Sequence, residues 1–370
     1  MECSLSIVFR ATSMARPRWR NYRWFKLCLL FLSGLLVFAC KPDMESTSTQ
    51  EVPGTKVPGN FPAPIYGAEQ NPPTQAAFEL GRSLFYDPRL SRTGSISCGS
   101  CHQQAVAFAD AGKKLSTGVE TRIGTRNTPA LQNLRWKPNF LWDGGPVHIE
   151  MMPRAPISNP LEMDETLDNV LRKLNADASY QRRFKQVFGG NGPIDSYQFL
   201  RALAQFTAAL TSSNSRYDRY VRQEAGGTLT ASELRGLTIL RQKCGTCHAG
   251  ELFTDESFRN NGLDRQFPLD SGRAHITRRS TDAGRFKVPS LRNVALTGPY
   301  MHDGRFTTLE AVLDHYDHGM VVSATLDLEL RRSGLEPGIA LAPQERQDLL
   351  AFLHTLTDEQ FLSNPQLAKH

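Results

Sequence analysis

Two copies of a Cys-x-x-Cys-His pattern occur in the chain, at Cys98, Cys101 and His102 and at Cys244, Cys247 and His248. Two thiols at this spacing can form thioethers with the two vinyl groups of one haem, and the adjacent His then binds the iron from the proximal side. A zinc site would combine such pairs into sets of four ligands, and a redox dithiol would lie in a βαβ unit. The His after both pairs favours two covalently attached c-type haems, with His102 and His248 as proximal ligands.

The N-terminal region predicts export and a lipid anchor. Residues 1–39 combine a basic start with the apolar run Leu27–Ala39, which is too short to span a membrane. A small residue followed by Cys40 after such a run resembles a bacterial lipobox, so we expect cleavage before Cys40 and lipidation of its thiol. The alternative is ordinary signal cleavage nearby, with Cys40 as a spare thiol. Lys41, directly after the lipidated Cys, favours anchoring in the outer membrane over the inner membrane. Translation starting at Met14 instead of Met1 would also give a complete export signal.

Length and charge limit the classes of protein that the chain can belong to. The chain has 370 residues, which suits two domains of roughly 150 residues each. Its net charge of +6 falls to about +1 when residues 1–39 are removed, because that segment holds six Lys or Arg and one acid. A nearly neutral mature chain gives no reason to expect a nucleic-acid partner.

Helical periodicity surrounds both motifs, and no long alternating strand pattern is present. Residues 40–73 are rich in Ser, Thr, Pro and Gly and predict a flexible tether. Amphipathic helices are predicted from Thr74 to Phe85, over 164–189, over 194–213 with Asp195 or Ser196 as cap, from the capping box Thr230–Glu233, over Leu309–Tyr316 and over Gln344–Leu356. We therefore predict an all-α chain with long ordered loops and two cytochrome c-like domains, residues 74–226 and 227–358, each binding one covalent haem.

Sequence blocks around the two motifs resemble the bacterial di-haem cytochrome c peroxidases, including their MauG-like branch. The resemblance covers about residues 76–358 and rests on the motifs and on Leu80-Gly81-Arg82, Leu84-Phe85-Tyr86-Asp87, Arg126-Asn127-Thr128-Pro129, Trp142-Asp143-Gly144, Asn159-Pro160-Leu161-Glu162-Met163, Val288-Pro289-Ser290-Leu291-Arg292-Asn293 and Pro299-Tyr300-Met301-His302-Asp303-Gly304. It implies a periplasmic enzyme in which the N-terminal haem reacts with hydrogen peroxide and the C-terminal haem supplies an electron. It also implies a small electron-donor protein, a cytochrome c or a cupredoxin, and a homodimer is one expectation.

The resemblance implies roles for five further residues. Glu162 is expected on the distal side of the N-terminal haem, where a carboxylate moves a proton between the peroxide oxygens; the alternative is a surface helix cap. Trp142 matches the tryptophan between the haems and is the expected electron conduit, or else a core aromatic. A calcium ion between the haems is expected at the side-chain oxygen of Asn127 and the backbone carbonyls of Thr297 and Pro299. The alternative is that these three are turn residues only.

Three positions depart from many members of that family. Val119 stands where they have a distal His, so we expect an N-terminal haem open to peroxide without prior reduction. Tyr316 stands where classical members have a distal Met, and MauG-like members also have Tyr there. We expect the Tyr316 phenolate to bind the iron of the C-terminal haem and to lower the reduction potential of that haem. Met152 replaces a Gln and cannot offer the same hydrogen bond. Alternative ligands crowd the turn of Tyr316: His315, His318 and Met320.

Three functions remain in competition at this point. The first is a peroxidase that reduces hydrogen peroxide to water. The second is a MauG-like oxidase of a protein or organic substrate, which Tyr316 favours. Trp136 and Trp142 are the only tryptophans after residue 39, so a surface tryptophan relay in the C-terminal domain is unavailable. This argues against oxidation of a large protein partner unless tyrosines replace the relay. The third is a non-catalytic electron-transfer lipoprotein, against which Glu162 and the missing distal His argue.

Overall fold

The structure is a computed structural model, and it describes residues 51–110, 112–331 and 337–369. The predicted export signal, Cys40 and the first part of the predicted tether lie outside the described residues. Among the residues described, no helix is both long and apolar enough to cross a bilayer.

The described chain is mainly helical, which confirms the predicted helical class. The α-helices are α1 Gln75–Phe85, α2 Cys98–Cys101, α3 Arg154–Ser158, α4 Leu167–Asn175, α5 Ala178–Phe188, α6 Ser196–Ala209, α7 Arg216–Val221, α8 Ala231–Ile239, α9 Ala274–Thr277, α10 Leu309–Asp314, α11 Pro343–His354 and α12 Glu359–Ser363. Single turns of 3₁₀-helix are Pro88–Leu90, Gln104–Val106, Val119–Thr121, Leu134–Trp136, Ile149–Met151, Ser280–Asp282, Val294–Leu296 and Leu328–Leu330. Turns of π-helix are Leu240–Cys244 and His315–Gly319. The short strands β1 Phe258–Arg259 and β2 Phe286–Lys287 pair antiparallel.

The same helix packing occurs in both halves of the chain. Helix α1 packs against α6, and α8 packs against α11. Each contact is close because a glycine lies in it: a Cβ at Gly81 would clash with the Ala202 carbonyl, and a Cβ at Gly236 would clash with the Asp348 carbonyl. The predicted capping box at Thr230 and the predicted Asp195 cap both form, so the helix starts are correctly read from the sequence.

Buried apolar side chains form two large clusters. The first combines α1, α4, α5 and α6 around fully buried residues such as Phe85 and Phe206, and the second combines α8, α10 and α11 around Phe352. Tyr217 packs on Phe352, with ring centroids 5.5 Å apart, although it precedes the predicted boundary at Gly226. The last residues of the chain return to the first cluster.

The described part of the predicted tether is packed on the body. The Trp136 indole N–H donates to Pro62 O at 2.8 Å, and the Arg135 guanidinium donates to Gly54 O at 2.6 Å. Asn71 is buried and donates to Arg201 O at 3.0 Å. The prediction of a flexible tether is therefore wrong for residues 51–73, because their backbone carbonyls serve as acceptors for buried side chains of the first half.

Candidate active site

One cavity of about 1320 Å³ is lined by both Cys-x-x-Cys-His motifs. Its walls include residues of the first motif and α6, and residues of the second motif, α10 and α11. The volume exceeds the roughly 300–1,000 Å³ of a site for one small molecule. A cavity of this size, with a cysteine pair at each side, has room for two large cofactors.

The first motif presents two thiols and a neutral imidazole to this cavity. The Ser97 N–H donates to Ser100 Oγ at 3.0 Å and the Ser100 N–H donates to Ser97 O at 3.0 Å, and these bonds hold the turn that carries Cys98 and Cys101. Burial raises the pKa of Cys98 to about 12 and that of Cys101 to about 11. His102 Nδ1 lies 2.7 Å from Phe108 O and donates to it, and burial lowers the pKa of His102 to about 4. Nε2 is thereby left as the free ring nitrogen.

The second motif repeats this arrangement. The π-helical turn Leu240–Cys244 leads into it, and such turns are frequent at functional sites. His248 Nδ1 lies 3.0 Å from Phe253 O, and burial lowers the pKa of His248. The four cysteines Cys98, Cys101, Cys244 and Cys247 form no disulfide.

These residues fit two covalently attached haems. A proximal His needs a neutral ring whose other N–H is held by a carbonyl or carboxylate, and both histidines have that partner. Within the described ranges, no group of three or more His, Cys, Asp or Glu side chains is arranged to hold a metal ion, as a zinc site would require. The donor set is therefore that of a c-type haem site on each side of the cavity.

Glu162 lines the cavity together with the first motif. Its Oε1 accepts from Asn159 Nδ2 at 2.7 Å, and burial raises its pKa above that of an ordinary Glu. Its backbone carbonyl accepts from the Val119 N–H at 2.8 Å, and Val119 itself is fully buried. Val119 therefore lies beside Glu162. Met152 also lines the cavity.

Trp142 and the three residues expected at a calcium ion line the same cavity. The Trp142 indole N–H donates to Asn127 O at 2.8 Å, and the Asn127 N–H donates to His302 O at 2.7 Å. Asn127 Nδ2 donates to the carbonyls of Lys113 and Lys114, at 3.3 and 3.1 Å. The amide nitrogen of Asn127 is thus occupied, and its side-chain oxygen is the atom left for another partner.

The four candidate ligands in and just after the π-helical turn His315–Gly319 have different surroundings. Tyr316 lines the cavity, and burial raises its pKa to about 12. His315 Nε2 lies 2.9 Å from Asn261 O, His318 is exposed, and Met320 is buried in a small cluster with Leu326 and Leu330. Tyr316 is the member of this set that faces the second motif's side of the cavity.

Sequence reasoning missed two polar residues of the cavity wall. Asn261 Nδ2 donates to the Tyr316 hydroxyl at 3.3 Å and contacts Met301 Sδ at 3.4 Å. Lys287 is buried on β2, donates to Glu256 at 3.0 Å, and has its pKa lowered to about 8 by burial. Both lie in irregular segments or two-residue strands, where periodicity gives no signal.

The segment around His148 and the Arg-rich segment 273–285 have polar contacts of their own. Glu150 accepts from the Tyr66 hydroxyl at 2.6 Å, and His148 is exposed. In the Arg-rich segment 273–285, the Arg273 guanidinium donates to the carbonyls of Asp143 and Gly144 at 2.8 Å.

Comparison with known proteins identifies similar chains. The family described as di-haem cytochrome c peroxidase matches residues 75–226. Methylamine utilization protein MauG of Methylorubrum extorquens is 36% identical over 316 residues, covering 84% of this chain and 87% of that protein. Cytochrome c551 peroxidase of Nitrosomonas europaea is 31% identical over 286 residues, covering 76% and 80%. A crystal structure of a MauG-like protein associated with microbial copper homeostasis is 34% identical, with a TM-score of 0.76, covering 85% of this chain and 98% of that one.

Proposed function

The chain belongs to the di-haem cytochrome c peroxidase family, in its MauG-like branch, and on that basis we propose that it reduces hydrogen peroxide to water with electrons from a small redox protein. Membership makes it a peroxidase-class oxidoreductase with two c-type haems as its cofactors. The observation that carries the specific proposal is Glu162, a buried carboxyl with a raised pKa in the cavity wall beside the first motif.

We propose that Cys98, Cys101 and His102 hold the peroxidatic haem. When attached, the haems supply the iron redox chemistry that cleaves the O–O bond. Glu162, as a carboxylate, accepts a proton from one peroxide oxygen and returns it to the other, so that the departing oxygen leaves as water. Asn159 Nδ2 orients the carboxylate through its 2.7 Å hydrogen bond. Two electrons from the donor and two protons from solvent balance the conversion of one peroxide into two waters.

We propose that Val119 leaves the distal side of this site open. A Val side chain has no nitrogen with which to bind iron, and Val119 is fully buried beside the Glu162 backbone. The first site then requires no prior reduction to release a distal ligand. This separates the chain from family members that carry a His at this position.

We propose that Cys244, Cys247 and His248 would hold the second haem and that the Tyr316 oxygen would bind its iron. Among the four candidates in the turn, Tyr316 is supported by its position in the cavity wall and by the Asn261 N–H directed at its oxygen. An anionic phenolate favours the more oxidised states of iron, and a hydrogen bond to its oxygen tempers that effect. Asn261 is thus a positioning residue for Tyr316.

Trp142 is our proposed electron conduit between the two sites. Its ring is fixed by the indole N–H bond to Asn127 O, and its carbonyl accepts from the Lys287 N–H at 2.9 Å. We also propose a calcium ion at Asn127, Thr297 and Pro299, because the free side-chain oxygen of Asn127 and two carbonyls are hard donors in one cavity. A rigid conduit flanked by a bound cation keeps the distance between the sites constant.

For the chain as a whole, we propose export, two cytochrome c-like domains and attachment to a membrane through Cys40. The two apolar clusters support the two domains, and the apolar run before Cys40 supports export. The periplasm is the compartment in which such a protein would meet both peroxide and a small donor protein.

A second candidate function is oxidation of a protein or organic substrate, as in the MauG-like branch. Tyr316 in the cavity wall and the 36% identity to a MauG protein favour it. The two functions differ in what supplies the electrons. Reduced cytochrome c or a reduced copper protein should be consumed in a ratio of two electrons per peroxide if the chain is a peroxidase. Peroxide consumption that needs neither donor, but does need an oxidisable protein or organic molecule, would favour the oxidase.

A further inference from the structure

The last segment of the chain, residues 359–369, crosses from the second half to the first. We call it the C-terminal strap. It follows α11 of the second cluster, yet Phe361 and Leu367 are buried in the first cluster, with 3% and 2% of their surfaces exposed. The predicted C-terminal domain ends at Asp358, so the strap lies outside the segment to which the sequence gives a role.

Asp358 fixes the start of the strap. Its side chain accepts from the N–H groups of Ser213 and Asn214, at 2.7 and 2.8 Å, and caps α12 by accepting from the Phe361 N–H at 3.1 Å. Its own N–H donates to Asn293 Oδ1 at 2.8 Å. The strap therefore leaves from a buried, hydrogen-bonded residue, and its first turn is tied to that residue by the bond from the Phe361 N–H.

The strap holds the loop that follows the first motif. Gln104 Nε2 donates to Phe361 O at 3.1 Å and to Asn364 O at 2.8 Å. The Phe361 ring packs on the Phe108 ring, with centroids 5.5 Å apart. Phe108 O is the atom that accepts from His102 Nδ1 at 2.7 Å. The strap thus contacts two residues, Gln104 and Phe108, of the loop that is closed by the bond orienting His102.

The strap also holds the turn that carries the two cysteines. The Tyr86 hydroxyl donates to Leu367 O at 2.8 Å, and the Arg82 guanidinium donates to Gln366 O at 2.6 Å. The Tyr86 ring packs directly on Gly99, where a Cβ would clash with it. A second line of contacts therefore runs from the strap to the Cys-x-x-Cys turn.

We propose that the C-terminal strap is a positioning element for the first haem site. It acts through Gln104 and Phe361 on the His102–Phe108 loop and through Tyr86 on the turn at Gly99. The bond from His102 Nδ1 to a carbonyl sets the orientation and basicity of a proximal His, so loosening the loop changes the first site while the second keeps its own His248–Phe253 contact. This inference rests on the proposed attachment of a haem at Cys98, Cys101 and His102.

The test compares Gln104→Ala and Phe361→Ala with the control Gln360→Ala in the full-length, haem-loaded protein. Gln360 is exposed on the same helix and accepts from Asn214 rather than contacting the first site. Gln104 is only partly buried, so its variant should fold even if Phe361→Ala does not. Loss of its two hydrogen bonds should raise amide exchange in residues 99–109 about tenfold or more, with no change in residues 245–254.

A second readout is the proximal-His signal of each haem, recorded by EPR or resonance Raman spectroscopy. We expect the first haem's signal to shift in Gln104→Ala and to stay unchanged in Gln360→Ala. Exchange and spectra identical to those of the control, or equal changes at both sites, would overturn the inference. Failure of the proposed function would look different, because a chain without covalent haem at Cys98 and Cys101 still shows whether the strap protects residues 99–109 from exchange.

Discussion

Glu162→Gln is the substitution that most directly probes the proton transfer at the first site. In the wild type, Asn159 Nδ2 donates to the Glu162 carboxylate at 2.7 Å. A glutamine at position 162 keeps an oxygen that can accept this bond and has nearly the same side-chain volume. It removes the only function proposed for Glu162, which is to accept and return a proton. General acid–base catalysis contributes about 10²–10⁴-fold, so kcat/KM for hydrogen peroxide should fall by that factor, or about 2.7–5.5 kcal/mol of barrier.

The pH dependence of activity tests the same proton transfer independently. Burial raises the pKa of Glu162, and only the carboxylate can accept a proton. Wild-type activity should therefore fall on the acid side with a midpoint above the usual range for Glu, and the Glu162→Gln profile should lack this limb. The assay is steady-state peroxide consumption with a reduced donor, recorded across pH.

Stability separates the catalytic effect from unfolding. A raised pKa in the folded state means that the stability contributed by protonated Glu162 is present below its unfolded pKa and is lost as pH rises through its folded pKa. At neutral pH, Glu162→Gln should be at least as stable as the wild type. The matched control is Asp164→Asn; in the wild type Asp164 Oδ2 lies 2.8 Å from the guanidinium nitrogens of Arg92 and Arg122, and Asp164 is not among the residues that line the cavity. A loss below about tenfold in Glu162→Gln, or an equal loss in the control, would refute the reasoning.

Three further predictions follow from the same cavity. Tyr316→Phe should change the absorption spectrum of the second haem and raise its reduction potential, because the anionic ligand is lost. A spectrum and a potential, measured by redox titration, that both equal those of the wild type would exclude ligation by Tyr316. Trp142→Phe should leave the first reaction with peroxide intact but slow donor-dependent turnover, and equal turnover would exclude the conduit. Metal analysis of purified protein should find one calcium ion per chain, and an Asn127→Ala variant should lose it; retention of calcium by that variant would contradict the assigned site.

Much of the fold follows from local patterns in the sequence. The helix starts at Asp195 and Thr230 are correctly predicted because caps and apolar periodicity are properties of neighbouring residues. The two haem motifs are equally local. By contrast, the packed segment 51–73 looks like a tether in composition, and it is held only by distant side chains such as Arg135 and Trp136.

The residues of the site that could not be predicted from the sequence make contacts with residues far away along the chain. Asn261 contacts Tyr316 from 55 residues away, and Gln104 contacts Phe361 from 257 residues away. Neither residue carries a motif. The sequence already favours Tyr316 over His315, His318 and Met320, and the structure adds that Tyr316 is the one of these four that lines the cavity.

The measurement that tests the central claim most directly is the reaction of the fully oxidised protein with hydrogen peroxide, followed by stopped-flow absorption. The account predicts rapid spectral change and peroxide consumption without prior reduction, because Val119 leaves the first site without a distal His. No reaction, both before and after one-electron reduction, would contradict an open peroxidatic site and would leave the chain as an electron carrier.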